Sequence, residues 1–419
     1  MRSWGLARFM LTGCAAAALL PGCGGARQGQ SGAPSIGEPG VLPQSSSLVA
    51  TSTSATYKIV YRFGSARNGA DPNAGLIDVD GKLYGTTSEG GAGPCRVNNK
   101  RGCGTVFSLT TGGKEKVIYS FGASPDGNHP YASLIDVGGT LYGTTKDGGS
   151  HNLGTVFSVT PAGVEKVLYS FSGSPDGGNP VASLTNVGGT LYGTTYGGGA
   201  HRGGSAFRIT TSGVEKVIDS FGGTRGGYPV AGLLSVGNDL FGSTSAGCGG
   251  RIFRLTPSGG KKYLFCFRPE SRGTHPQASL INVNGTLYGT TYYGGTFRAC
   301  TSGFTPGCGT VFSITPSGTE QVIYSFGGGS DGNYPKAPLV ELDGTLYGTT
   351  SWGGGHRGTI FSVTPSGTET VLHIFTAGSD GANPVAGLIN VKGTLYGTTS
   401  QGGGSNCSVG CGTVFAIKP

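Results

Sequence analysis

Apolar and polar residues alternate with a period of two along most of the chain, in short runs broken by glycine. Residues 132–171 show this plainly: ASLIDVGGTLYGTTKDGGSHNLGTVFSVTPAGVEKVLYSF. Alternation of this length marks half-buried strands, and Gly-Gly or Pro-x-Gly between runs marks tight turns. The stretch therefore predicts four strands, Ala132–Val137, Thr140–Thr145, Gly154–Thr160 and Glu165–Phe171. Tyr142, Val156, Phe157, Val159, Leu168 and Phe171 are the apolar and aromatic types that suit a pleated surface.

The unit recurs. LYGTT begins at Leu83, Leu141, Leu191, Leu287, Leu346 and Leu395, with a drifted copy at Leu240-Phe241-Gly242-Ser243-Thr244. Successive copies lie 58, 50, 49, 47, 59 and 49 residues apart. Such a period, with four short strands in each unit, is the signature of a propeller, whose blades cover one another's apolar faces. Fully burying one large side chain in this way stabilises by roughly 1.5–3 kcal/mol. The first three strands occur seven times. The fourth also occurs seven times, but its first copy, Lys58–Phe63, precedes all the others. The expected architecture is an all-β, seven-bladed β-propeller with four antiparallel strands per blade. Pairing Tyr57–Phe63 with Gly412–Lys418 would make the outer strand of blade seven and remove the open edge. An open β-solenoid of the same units is the alternative.

Composition agrees with many turns and few helices. Glycine accounts for 84 of 419 residues without collagen's every-third spacing, so the glycines mark turns. The formal net charge is +8, yet Lys and Arg are scattered singly and leave no basic patch for nucleic acid. The N-terminus is different. Arg2 and Arg8 open it, an apolar stretch runs from Phe9 to Leu20, and Leu20-Pro21-Gly22-Cys23 follows. That is the layout of an export leader over residues 1–22, similar to a bacterial lipoprotein signal in which Cys23 is lipidated. Cys14, after Leu11-Thr12-Gly13, is the competing processing site, and plain secretion the competing fate. Residues 23–56 are rich in Gly, Ser, Pro and Thr and read as a flexible tether, leaving 57–419 for the propeller.

The repeated elements LYGTT, GG, GTVFS, TP-x-G and KV-x-YSF resemble the GloVer-type tandem repeat of bacterial "choice-of-anchor" surface proteins, over roughly residues 57–419. The resemblance implies an exported, envelope-anchored protein. A more distant likeness to kelch propellers, which also pair a double Gly with a nearby aromatic, bears on the fold alone.

Two connections per unit are short and uniform, while the other two vary and should open on one face of the disc. That face carries the insertions Glu89–Gly102, Tyr292–Cys308 and Gln401–Cys411. Loops held by a rigid scaffold are where binding residues gather. The candidate binding face therefore comprises His151, His201, His356, Trp352, Tyr292, Tyr293 and Tyr334. The three histidines stand at equivalent positions of blades two, three and six, which repeat inheritance also explains. His129 and His275 precede prolines and read as exposed turn residues. Cys95, Cys103, Cys248, Cys266, Cys300, Cys308, Cys407 and Cys411 form an even set, as expected of disulfides in an exported chain. Cys95–Cys103, Cys300–Cys308 and Cys407–Cys411 would staple loops, and Cys248–Cys266 would bridge elements of blade four. Cys-x-x-Cys spacing is absent, which speaks against zinc.

Asp126, Asp176, Asp331 and Asp380 stand in Asp-Gly turns and are weak calcium candidates, although turn geometry alone favours these dipeptides. No cofactor is otherwise expected, and no catalytic residue can be assigned. Sialidase boxes and the blade tryptophans of quinone-dependent dehydrogenases are both missing. No polar cluster that breaks the repeat near the central channel can be placed from sequence. The expectation is a monomeric, non-enzymatic scaffold in the bacterial envelope, an outer-membrane or surface lipoprotein touching the membrane only through its lipid. It would bind a protein or glycan through the loop face. The alternative is a polysaccharide hydrolase or lyase on the same scaffold.

Overall fold

The computed structural model of the chain describes residues 55–419 except 65, 98–99, 223–225, 269–271, 298, 303–304, 405–406 and 408. The leader, nearly all of the tether, and both Cys14 and Cys23 lie outside the described residues.

Seven antiparallel sheets, each with four blade strands and the sixth with Asn333–Pro335 added, make a seven-bladed β-propeller. In blade two the strands run outward as Ile135–Val137, Thr140–Thr145, Thr155–Val159 and Glu165–Ser170. The innermost strand starts later than its alternation suggests. Only Ile135–Val137 pair with Thr140–Tyr142; Ala132 and Leu134 are buried against the preceding blade without joining the ladder. Helical structure among the described residues is limited to single turns such as Gly329–Asp331.

Each residue of LYGTT has a mechanical reason. A Cβ on Gly143 would lie 2.7 Å from the Phe157 ring, so only glycine lets the third strand's phenylalanine cross the second strand. Thr144 donates its hydroxyl to the Ala182 carbonyl of the next blade at 3.2 Å. Thr145 Oγ1 lies 2.8 Å from Thr155 Oγ1 within its own blade. The blade-to-blade bond recurs as Thr86 to Ala132, Thr194 to Ala231, Ser243 to Pro276, Thr290 to Ala337 and Thr398 to Ala74. One threonine joins blades and the other joins strands.

The core lies between blades. The phenylalanine that ends each outer strand packs on the third-strand phenylalanine of the following blade, as Phe121 does on Phe157 with centroids 5.0 Å apart. Both rings are fully buried. The ring closes through the front of the chain, where Thr56–Arg62 pairs antiparallel with Thr413–Lys418, Thr56 opposite Lys418. The edge of Thr413–Lys418 is thereby covered, and blade seven gains the same outer strand that every other blade has.

Candidate functional site

Seven pre-proline residues encircle the axis: Asp71, His129, Asn179, Tyr228, His275, Tyr334 and Asn383. All have φ between +54° and +59°, a left-handed backbone that Asn, Asp and His tolerate and a bulky Tyr enters at a cost. Hydrogen bonds hold them there. His129 N–H donates to Cys103 O of the preceding blade at 2.9 Å, while its own carbonyl accepts from Lys146 N–H at 3.1 Å. Each such residue ties the third strand of one blade to the second strand of the next. The inter-blade loop and the second-to-third loop then pair on one side of the disc, as Ala70 with Glu89 and Thr274 with Tyr293.

This backbone arrangement presents variable side chains to the channel mouth. Two residues beyond each of these positions stand Asn73, Tyr131, Val181, Val230, Gln277, Lys336 and Val385, in blade order. Lys146, Tyr196 and Ser245 join them from the position following LYGTT and its drifted copy. All line a cavity of about 750 Å³ at the axis. Deeper in the channel, small residues touch around the axis: Ser133 N–H donates to Ser183 Oγ at 3.1 Å, and Gly232 N–H to Ser279 Oγ at 2.9 Å.

The mouth has two chemically distinct arcs. Over blades one to three, Asp147 Oδ2 lies 3.2 Å from His129 Nδ1. Asn179 Nδ2 donates to Asp147 Oδ1 at 3.3 Å and to the Lys146 carbonyl at 3.1 Å. Lys146 Nζ stands 5.4 Å from the centroid of the Tyr131 ring. Burial raises the Tyr131 phenol above the usual tyrosine range, and the carboxylates of Glu89, Asp147 and Asp71 add to the effect.

Over blades five and six an aromatic cluster stands beside His275, which lines the cavity. Tyr292 and Tyr334 stack with centroids 5.0 Å apart and planes at 17°. Tyr293 meets both edge-on, at 4.6 Å and 5.5 Å, and His275 lies 5.3 Å from Tyr293. Burial pushes the His275 imidazole below its ordinary value, favouring the neutral ring. Lys336 belongs to this arc. Its side chain is open to channel water but walled by protein, and this partial desolvation lowers its ammonium below the usual lysine range.

The sequence-derived candidates separate accordingly. Tyr292, Tyr293 and Tyr334 are brought together beside His275, which lines the cavity. His151, His201 and His356 are exposed, one per loop of three blades, with nothing drawing them into a cluster. Trp352 is exposed on the rim, edge-on to His356 at 5.9 Å. His129 and His275 depart from the exposed-turn expectation. They are half-buried: His275 lines the cavity and His129 faces Asp147. Asp126, Asp176, Asp331 and Asp380 lie at four different blade seams, so they do not converge on one ion. Their carboxylates accept from Tyr119, Tyr169 and Tyr324, while Asp380 faces the His373 ring. Among the described residues no group of three or more His, Cys, Asp or Glu is placed to hold a metal.

All eight cysteines among the described residues are bonded, as Cys95–Cys103, Cys248–Cys266, Cys300–Cys308 and Cys407–Cys411. Four disulfides point to an oxidising compartment outside the cytosol. The carbonyls of Cys103, Cys308 and Cys411 accept the amides of His129, Tyr334 and Asp71, so three of the bridges anchor mouth residues.

Sequence reasoning did not assign Tyr131, Lys146, Tyr196, Gln277 or Lys336. The available signal was positional. In the otherwise uniform run Pro-x-Ala-(Ser/Gly/Pro)-Leu, the residue after Pro reads Asn, Tyr, Val, Val, Gln, Lys, Val around the ring.

The Gloeobacter/Verrucomicrobia repeat matches residues 44–186, 167–301 and 297–419. Among solved structures, a protein provisionally described as a 6-phosphogluconolactonase from Bacteroides fragilis is 17% identical over 77% of this chain and 88% of its own, with a TM-score of 0.49. A puromycin hydrolase is 13% identical over 84% of this chain and 53% of its own, with a TM-score of 0.48. A gluconolactonase from Xanthomonas campestris is 13% identical over 67% of this chain and 82% of its own, with a TM-score of 0.39. At these identities none of the three bears on chemistry. No curated protein matches the chain.

Proposed function

Because the chain belongs to the Gloeobacter/Verrucomicrobia repeat family, we propose that it is an exported envelope protein, lipid-anchored through Cys23, whose propeller is a binding scaffold and not an enzyme. The binding surface is the loop face, centred on the channel mouth, and its ligand is a glycan or a protein. One observation carries the reading: the variable side chains that follow the seven inter-blade prolines converge on a single cavity, while the blade strands are uniform. A rigid ring displaying varied side chains on a concave surface is a binding scaffold by construction. The cavity's 750 Å³ falls in the range of small-ligand pockets, which favours a saccharide end over a flat protein epitope. Four disulfides support export.

A glycan array probed with the full-length protein in detergent tests this. Retained glycans with no released product support the scaffold. A polysaccharide hydrolase or lyase is the competing reading, and the Asp147–His129 pair, next to the cavity-lining Lys146 and Asn179, favours it. Release of oligosaccharides on incubation would establish that reading, and abolition by Asp147→Asn would place it at this pair.

A further inference from the structure

The mouth's charge distribution narrows the ligand. The described residues lining the cavity include two ammonium groups, Lys146 and Lys336, and no carboxylate. Lys146 is flanked by the acidic arc, with Asp147 adjacent in sequence and Tyr131 beneath its ammonium. Lys336 has no such company. Among the described residues no carboxylate pairs with it; His275 and Gln277 line the same cavity, and Tyr334, two residues before it in the chain, stacks on Tyr292. An ammonium in a concave cavity whose lining holds no carboxylate attracts an anion more strongly than one on a convex surface, because the protein walls focus its field. Beside it, tyrosine faces and a side-chain amide offer what a sugar ring uses: stacking for its C–H face and hydrogen bonds for its hydroxyls.

We propose that the channel mouth binds an acidic saccharide, with a sugar carboxylate on Lys336 and the sugar ring against the Tyr292–Tyr334 arc. The proposal rests on the glycan-binding reading above and adds the class of sugar and its orientation. The acidic arc of blades one and two repels a second anion, so the neutral remainder of the ligand points toward Tyr131.

Isothermal titration of the full-length protein in detergent with a uronic acid trisaccharide, and with a neutral trisaccharide of matched linkage, tests it. The acidic sugar should bind about tenfold tighter at low salt, with the advantage shrinking as salt rises. Lys336→Gln should remove most of that advantage and Lys336→Arg should keep it. Lys166→Gln, on an outer strand, should change nothing. Circular dichroism of each variant separates lost charge from lost fold. Equal affinity for both sugars, or an unaltered preference in Lys336→Gln, overturns the acidic-sugar assignment and leaves glycan binding standing. Failure of both sugars, and of the array, overturns both. Competition by inorganic phosphate at the concentration of the acidic sugar would reveal a bare-anion site and also overturn the proposal.

Discussion

Phe63 lies edge-on against Phe107, ring centroids 5.2 Å apart and planes at 75°. The two belong to different blades. Phe63 follows the strand Thr56–Arg62, which completes blade seven, and Phe107 is in the third strand of blade one. The first strand of the chain therefore closes the last blade and also supplies the aromatic contact to the first. Both rings are fully buried.

Ring closure makes Phe63→Ala a core mutation in a segment that would otherwise be a terminal strand. It should cost about 3–5 kcal/mol, as a buried Phe truncation does. Phe171→Ala, at the equivalent seam of blades two and three, is the internal reference. Removing residues up to Phe63 should do more, because it bares the edge of Thr413–Lys418 and invites intermolecular pairing. Denaturant unfolding with size-exclusion chromatography reads both effects. A Phe63→Ala variant as stable as the parent would mean that the strand does not close the ring in solution.

The blade seams should also respond to pH. At the seam of blades one and two, Tyr119 donates to Asp126 at 2.9 Å, and Glu165 lies against the same phenol. Tyrosine has a single proton to donate, so Asp126 and Glu165 compete for it. Burial, then the charge of Asp126, pushes Glu165 up to about 7. Glu215 beside Asp176 is also raised to about 7, and Glu369 beside Asp331 to about 8. A carboxyl raised on folding binds more protons in the native state than in the unfolded one. Stability is therefore complete below about pH 4.5 and lost as pH climbs to about 7 or 8. Glu165→Gln keeps a neutral donor at the position. It should stabilise by about 1–3 kcal/mol at pH 8.5 and by nothing at pH 4. Thermal melts of parent and variant at the two pH values decide it, and an equal difference at both would show that Glu165 does not titrate in this range.

Reduction of the loop disulfides should loosen the mouth before the ring. Cys308 holds the Tyr334 amide through its carbonyl at 2.7 Å and is itself fixed by Cys300. The loop that this bridge closes is short, so its removal costs the fold no more than about 2–3 kcal/mol. The double substitution Cys300→Ser with Cys308→Ser should lower hydrogen-exchange protection at Tyr334 well before it lowers that of Phe312 in the adjacent strand. Parallel loss of protection at both would show that the bridge supports the blade and not the mouth.

Much of the ring was legible in the sequence because the repeat makes one physical statement seven times. Alternation gave the strands, Gly-Gly and Pro-x-Gly gave the turns, and the stray copy at Lys58–Phe63 gave the closure. The inner strand was overdrawn at Ala132–Leu134, since burial against a neighbouring blade produces the same alternation as ladder pairing. The mouth was harder to read. Tyr292, Tyr293 and Tyr334 were named as aromatic loop residues, but their mutual contact depends on where two blades meet. His129 and His275 resembled ordinary pre-proline turn residues. What sets them apart is a left-handed backbone held between two blades, a tertiary constraint with no local sequence mark. Lys336 was one lysine among many until the ring placed it in the channel without a carboxylate.

Two of the seven left-handed pre-proline positions are filled by tyrosine, the residue type there that suits this conformation least. Tyr228 has φ +59° and packs against Tyr196 with ring centroids 5.1 Å apart. The left-handed backbone costs a non-glycine residue about 1–2 kcal/mol, while an aromatic pair contributes about 0.5–1.5 kcal/mol beyond its area. The two nearly cancel, so stability gives no reason to prefer tyrosine at the mouth. Asn179 and Asn383 occupy the same conformation in blades three and seven, which shows that asparagine fits. Tyr228→Asn should therefore leave the unfolding midpoint unchanged or raise it by up to about 1 kcal/mol, while weakening saccharide binding several-fold. Denaturation and titration of the same preparation test both halves. A clear loss of stability with binding intact would make Tyr228 a packing residue and remove it from the site.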